Sequence, residues 1–155
     1  MPPDPERSRK PQRSEILSTA FSNLFMTFSV FLVEDNLSVR DGLLDMLEEV
    51  GDATVVGVAP TQDEATRWLL EHSHVWHLVI VDLFLSEGSG MEVVKVCAPR
   101  QAHQRVVVLT NYVEASASRA LSQGADAVFD KTSQLEEFLA YVQLCGTQHR
   151  DREQA

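Results

Sequence analysis

Basic residues are scarce in this chain. Lysine and arginine number 13 against 23 aspartates and glutamates, a formal net charge of -10. A basic footprint for a phosphate backbone is lacking, so direct nucleic-acid binding is not expected. Cysteine is nearly absent: Cys97 and Cys145 stand alone in apolar surroundings. That excludes a disulfide framework and fits reduced, buried thiols of a cytoplasmic protein. Glycine and proline are few, at 7 and 6, so the composition is globular rather than low-complexity. A clean long apolar run is also missing. Between Ser14 and Val33 the only charge is Glu15, but Ser18, Thr19, Ser22, Asn23, Thr27 and Ser29 interrupt the stretch, and no A-x-A site follows. Export and membrane spanning are therefore not expected. At 155 residues, 44% of them hydrophobic, one domain with a sizeable core can form.

The informative stretch is His77 to Gly90, HLVIVDLFLSEGSG. The apolar run Leu78–Val81, closed by a turn cluster, predicts a strand buried on both faces. Asp82 ends it. An acid there cannot lie unpaired in the core, and open α/β sheets place their chemistry at the carboxyl ends of strands.

The rest of the chain repeats one unit. Residues 1–25 read as an arm: its first 13 residues hold four prolines and four basic residues and suit disorder. Ile16, Leu17, Ala20, Phe21, Leu24, Phe25 and Phe28 then follow helical spacing. An amphipathic helix fits that spacing; so does a segment lying upstream of a natural start at Met26. From Ser29 strands and helices alternate. Strands are expected at Ser29–Val33, Thr54–Val58, Leu78–Asp82, Arg105–Thr110 and Ala127–Phe129. Helices follow each, the first capped by Ser38 and stopped by Gly51, the second opened by Pro60-Thr61, the third closed by Pro99, the fourth from Glu114 to Gln123, the last from Leu135. Five such units predict a doubly wound parallel sheet with helices on both faces. The domain is expected over 26–146, and residues 147–155 are expected to fray. Trp68 and Trp76 read as core. His72, His74 and His77 cluster in sequence but match no zinc spacing, so surface histidines are favoured.

The strand ends carry Glu34 and Asp35, then Asp82, then Thr110, with Lys131 after the fifth strand. Three carboxylates brought together repel, and a hard dication such as Mg²⁺ relieves that. A carboxylate nucleophile, a metal, a lysine and a hydroxyl are the parts phosphoryl transfer needs.

With those motifs in order (Glu34-Asp35-Asn36, Asp82 with Gly88-x-Gly90, Leu109-Thr110, and Gly124-Ala125-Asp126 leading to Lys131), the chain from about Met26 to Gly146 resembles the receiver domain of two-component response regulators. The resemblance implies a flavodoxin-like sheet in the order 2-1-3-4-5. It implies Asp82 as phosphoacceptor, with Thr110 and Lys131 engaging the phosphoryl group. It implies Mg²⁺ held by Glu34, Asp35, Asp82 and the backbone carbonyl of Phe84. It implies a cytoplasmic, stand-alone receiver with no DNA-binding output domain. Such a protein is not an enzyme beyond its own phosphorylation and dephosphorylation. Its partners would be a sensor histidine kinase or a histidine phosphotransfer protein, plus a downstream protein meeting Glu114–Leu144; a homodimer is left open. Three positions depart from the family pattern. Ser86 replaces a usual proline, so a looser loop is expected. Thr132 follows Lys131 where Pro or Asp is common. Val128 replaces an aromatic that moves with the threonine, and alternation points Phe129 to the other face. Phe84 and Tyr112 are expected to form an apolar rim. A receiver that never turns over phosphate and a flavodoxin-like small-molecule binder remain the alternatives.

Overall fold

The computed structural model describes residues 10, 12–14, 27–50 and 53–154. The elements run β1 (Phe28–Val33), α1 (Leu37–Glu48), β2 (Ala53–Ala59), α2 (Gln62–Glu71), β3 (Leu78–Val81), α3 (Gly90–Val96), β4 (Arg105–Thr110), α4 (Val113–Ser122), β5 (Ala127–Asp130) and α5 (Leu135–Gln154). All five strands are parallel, in the expected order β2-β1-β3-β4-β5.

Side-chain alternation divides the core. Phe31, Val33, Val79, Val81, Val106 and Val108 face α2, α3 and α4, meeting Ala65, Leu69, Val93, Val94 and Ala120. Val30, Leu32, Leu78, Ile80, Val107 and Leu109 face α1 and α5, meeting Leu43, Leu47, Phe138 and Val142. β1 and β3 are buried along their whole length. Their β-branched and large apolar residues fit because both faces are covered. Trp76 is buried, and Trp68 packs partly buried against the α2–α4 side. Both cysteines are buried and unpaired, and burial pushes the Cys97 thiol up to about 12, which leaves it inert at neutral pH.

Several local expectations are corrected. Phe28 belongs to β1 rather than to a preceding helix, because its ring is buried among β1, His77 and His149. The rest of that amphipathic segment, residues 16–25, and the stop at Gly51 lie outside the described residues. Asn36, not Ser38, caps α1: its extended backbone lets the side chain accept from the Val39 N–H at 3.1 Å. Thr61 caps α2 as expected.

The tail does not fray at Gly146. α5 continues through Gln154 because Cys145 and His149 carry the buried stripe of Phe138 and Val142 onward. His149 is 2% exposed. Its ring lies 4.0 Å from that of His77, at the amino-terminal end of the sheet. His77 Nδ1 accepts the Ser29 N–H at 2.9 Å. Burial, then the nearness of His149 and His103, lowers His77 to about 4, so it stays neutral and apolar enough for this packing. Among the described residues no helix is long and apolar enough to cross a membrane.

Candidate phosphoacceptor site

The sheet's hydrogen-bond ladder delivers the site residues. Glu34 N–H continues the pairing of β1 with β2 by donating to the Ala59 carbonyl. Asp82 N–H does the same between β3 and β1, donating to Val33, and Lys131 N–H between β5 and β4, donating to Thr110. Glu34, Asp82 and Lys131 are thus each the first residue past a strand, fixed by a backbone bond at the end of the sheet where the crevice lies.

Lys131 Nζ bridges Glu34 Oε2 at 2.8 Å and Asp82 Oδ2 at 2.9 Å. Glu34 is 2% exposed and the Asp82 side chain 9%. Burial raises the Glu34 carboxyl above its usual range, against the pull of the Lys131 hydrogen bond. Burial also opposes the charge on Lys131, but its hydrogen bonds to Glu34 and Asp82 prevail and raise its pKa. One ammonium shared between two acids holds its own proton firmly and leaves each acid incompletely compensated.

Glu34, Asp35 and Asp82 each place a carboxylate oxygen within 4.8 Å of the others. Three carboxylates (-3) and Lys131 (+1) leave a charge of -2. An oxygen-only donor set with that residual charge fits a hard dication. It is the one group of three His, Cys, Asp or Glu residues among the described residues that could hold an ion. His72 instead stacks on Trp68, and His77 packs against Phe28 and His149, so those histidines are not gathered.

Thr110 is fully buried and lines the same cleft with Asn111, Tyr112, Phe84 and Val39. Its Oγ1 accepts from the Tyr112 N–H at 3.3 Å. The Phe84 and Tyr112 rings meet edge to face at 4.6 Å. Both stay more than half exposed, so the rim flanks the cleft without sealing it. Val128 packs with the α2–α4 cluster, whereas Phe129 meets Phe138 and Tyr141 on the opposite face, as alternation required.

The loop after Asp82, where Ser86 was expected to allow more freedom, carries backbone ties of its own. Ser86 N–H donates to Asp35 Oδ2 at 2.8 Å, a bond a proline could not make. Phe84 pairs with Ser89, and Gly90 N–H donates to Leu83. Gln62 also reaches this loop. Sequence reading passed over it, since a glutamine after a helix cap looks like a solvated residue.

A family model for the response regulator receiver domain matches residues 30–143. The chain belongs to the response regulator receiver family. VraR of Staphylococcus saprophyticus, a response regulator, is 30% identical over 111 residues, covering 70% of this chain and 51% of that protein. UvrY of Escherichia coli is 28% identical over 106 residues, covering 63% and 48%. This receiver therefore spans about half the length of the curated relatives it matches. Among solved structures, the receiver domain of NarL from Mycobacterium tuberculosis superposes with a TM-score of 0.67 at 24% identity, covering 78% of this chain and 97% of that one. That likeness establishes the fold. The motifs that carried the family resemblance all fall within the matched span.

Proposed function

We propose that Asp82 accepts a phosphoryl group from a histidine kinase or phosphotransfer protein, and that the phosphorylated domain switches a protein contact or passes the group on. The observation that carries this reading is Lys131 Nζ held against Asp82 and Glu34 beside a third carboxylate, Asp35. Glu34, Asp35, Asp82 and the Phe84 carbonyl would hold Mg²⁺. When bound, that ion supplies positive charge for the phosphoryl oxygens. An Asp82 carboxylate oxygen attacks phosphorus; the new O–P bond forms as the donor's N–P or O–P bond breaks, a histidine leaving group taking up a proton and a carboxylate leaving as its anion. Lys131 then exchanges its bond to Asp82 for one to a phosphoryl oxygen, and the Thr110 hydroxyl donates to another. Phosphorylation turns the -1 carboxylate into an acyl phosphate of about -2 at pH 7, a net gain of about one negative charge beside groups that must rearrange to meet it.

The readout we assign is protein contact through α4, β5 and α5, in the cytoplasm, since a net charge of -10 disfavours nucleic acid for this domain itself. Val128, in place of an aromatic, favours a second reading, a phosphorylation-independent interaction module.

Incubation with a small acyl phosphate and Mg²⁺, followed by intact mass, separates the two. One added phosphoryl group is expected, absent in Asp82→Asn and blocked by chelator. No gain, with a histidine kinase also failing, selects the second reading.

The rim gives a further expected result. Phe84 and Tyr112 line the same cleft as Asp82 and flank one side of it. Replacing both with serine is expected to speed loss of the phosphoryl group, as water access rises. Following the phosphorylated mass with time after donor removal checks this; an unchanged or slower decay counts against the rim.

A further inference from the structure

The loop from Asp82 to Gly90 is held from outside its own strand by one residue of α2. Gln62 N–H donates to the Glu87 carbonyl at 3.1 Å, and Gln62 Oε1 accepts from the Ser89 N–H at 2.9 Å. The loop lies flat on this side chain. Gly88 has φ of +86°, and a Cβ there would collide with Gln62, so glycine answers both the backbone turn and the close approach. Ser89 in turn pairs with Phe84 across the loop and caps α3 by accepting from the Met91 N–H. At the other end, Ser86 N–H is fixed on Asp35 Oδ2. The Gln62 side chain therefore sits one bond from the strand pairing that sets Phe84, and its backbone N–H holds the neighbour of Ser86, whose N–H orients Asp35.

We propose that Gln62 is a positioning residue: it fixes residues 84–89 so that the Phe84 carbonyl and Asp35 are presented together to the cation. This rests on the cation reading given under Proposed function. Removing the side chain leaves the Gln62 N–H on the Glu87 carbonyl and frees only the Ser89 N–H, which is half-buried, so water replaces the lost acceptor and the fold survives. What is lost is the tie that holds Ser89, and with it the pairing of Ser89 with Phe84 is loosened. Partners bonded to a metal ligand change metal affinity by about 10- to 100-fold; Gln62 acts through the loop rather than on a ligand, so the lower end is expected.

The test uses Mn²⁺ as probe, with free Mn²⁺ read by electron paramagnetic resonance on the full, unphosphorylated chain. Gln62→Ala and the near-isosteric Gln62→Met both lack the acceptor oxygen, and each is expected to raise the Mn²⁺ dissociation constant about tenfold. Gln62→Glu keeps that oxygen and is expected to bind as the wild type does. Far-UV circular dichroism of all three should match the wild type. Wild-type binding that survives in Gln62→Ala and Gln62→Met overturns the proposal and leaves the cation reading standing. A loss in Gln62→Ala alone shows an effect of bulk and also overturns it. A wild-type chain that takes up no Mn²⁺ overturns the cation reading, and this inference with it.

Discussion

Lys131→Ala is expected to lose about 2–3 kcal/mol of stability at neutral pH in the absence of divalent cations. Breaking a buried ion pair by removing one partner costs about 3–5 kcal/mol. The expected loss falls at and just below the bottom of that range because the Lys131 side chain keeps 12% exposure and water can reach the gap. The loss has a defined pH dependence. Burial already raises the Glu34 carboxyl, and without Lys131 it rises further. A carboxyl whose folded pKa exceeds its unfolded value binds more protons in the native state, so stability falls as pH rises through that window. The deficit of the variant should thus be largest above the shifted range and should shrink as the solution is acidified towards 5. Mg²⁺ should shrink it as well, by replacing the missing positive charge. Phosphoryl uptake should slow on the order of 100-fold, the usual cost of deleting one positioned donor. Urea unfolding at pH 7.5 and 5.5, with and without Mg²⁺, together with a mass time course, checks each part. A deficit independent of both pH and Mg²⁺ would refute the electrostatic account.

Gly90→Ala is expected to cost about 3 kcal/mol, at the top of the range for overpacking. A Cβ at this buried position would overlap the Asp82 carbonyl oxygen and sit 2.7 Å from Leu83 Cα. Both are backbone atoms, so no side-chain rotation relieves the clash. Either α3 lifts away from the sheet or Asp82 leaves its place at the end of β3. Phosphoryl uptake should fall with stability in either case. Gly42→Ala is the matched control. A Cβ at Gly42 meets nothing within 4 Å, inside α1. It should gain roughly 0.5–1 kcal/mol through helix propensity. Equal unfolding midpoints for the two variants would reject the packing argument.

These effects show which parts of the molecule could be read from residues alone. The strands were legible because runs such as Leu78–Val81 and Arg105–Thr110 carry their own signal: β-branched residues with both faces buried. The acids were legible because a charge at the end of such a run has few places to go. Three features were not. His149 looks like part of a polar tail, and its burial depends on His77 and Phe28, which only the fold brings beside it. Ser86 was judged by the proline ring it lacks, whereas its backbone N–H found Asp35. Gln62 meets Ser89 across 27 residues of sequence, a contact without local periodicity. In each case the deciding partner lies outside the window in which spacing and propensity operate.

The edge strand carries a last consequence. At Val30/Phe31 the pairing of β1 with β2 slips by a residue, and Gly57 comes opposite Phe31. The Trp68 indole covers that glycine, lying 4.0 Å from the Phe31 ring on one side and 4.4 Å from His72 on the other. A Cβ at Gly57 would stand 2.7 Å from Trp68 Nε1. In evolutionary drift the two positions therefore move as a pair. A larger residue at 57 needs Trp68 to give way and the Phe31 ring, 3.1 Å from that Cβ, to yield as well, and the loss of Trp68 first leaves a gap between Phe31 and His72. Each single step passes through a less stable chain, so lineages that hold this glycine and this tryptophan should tend to keep both.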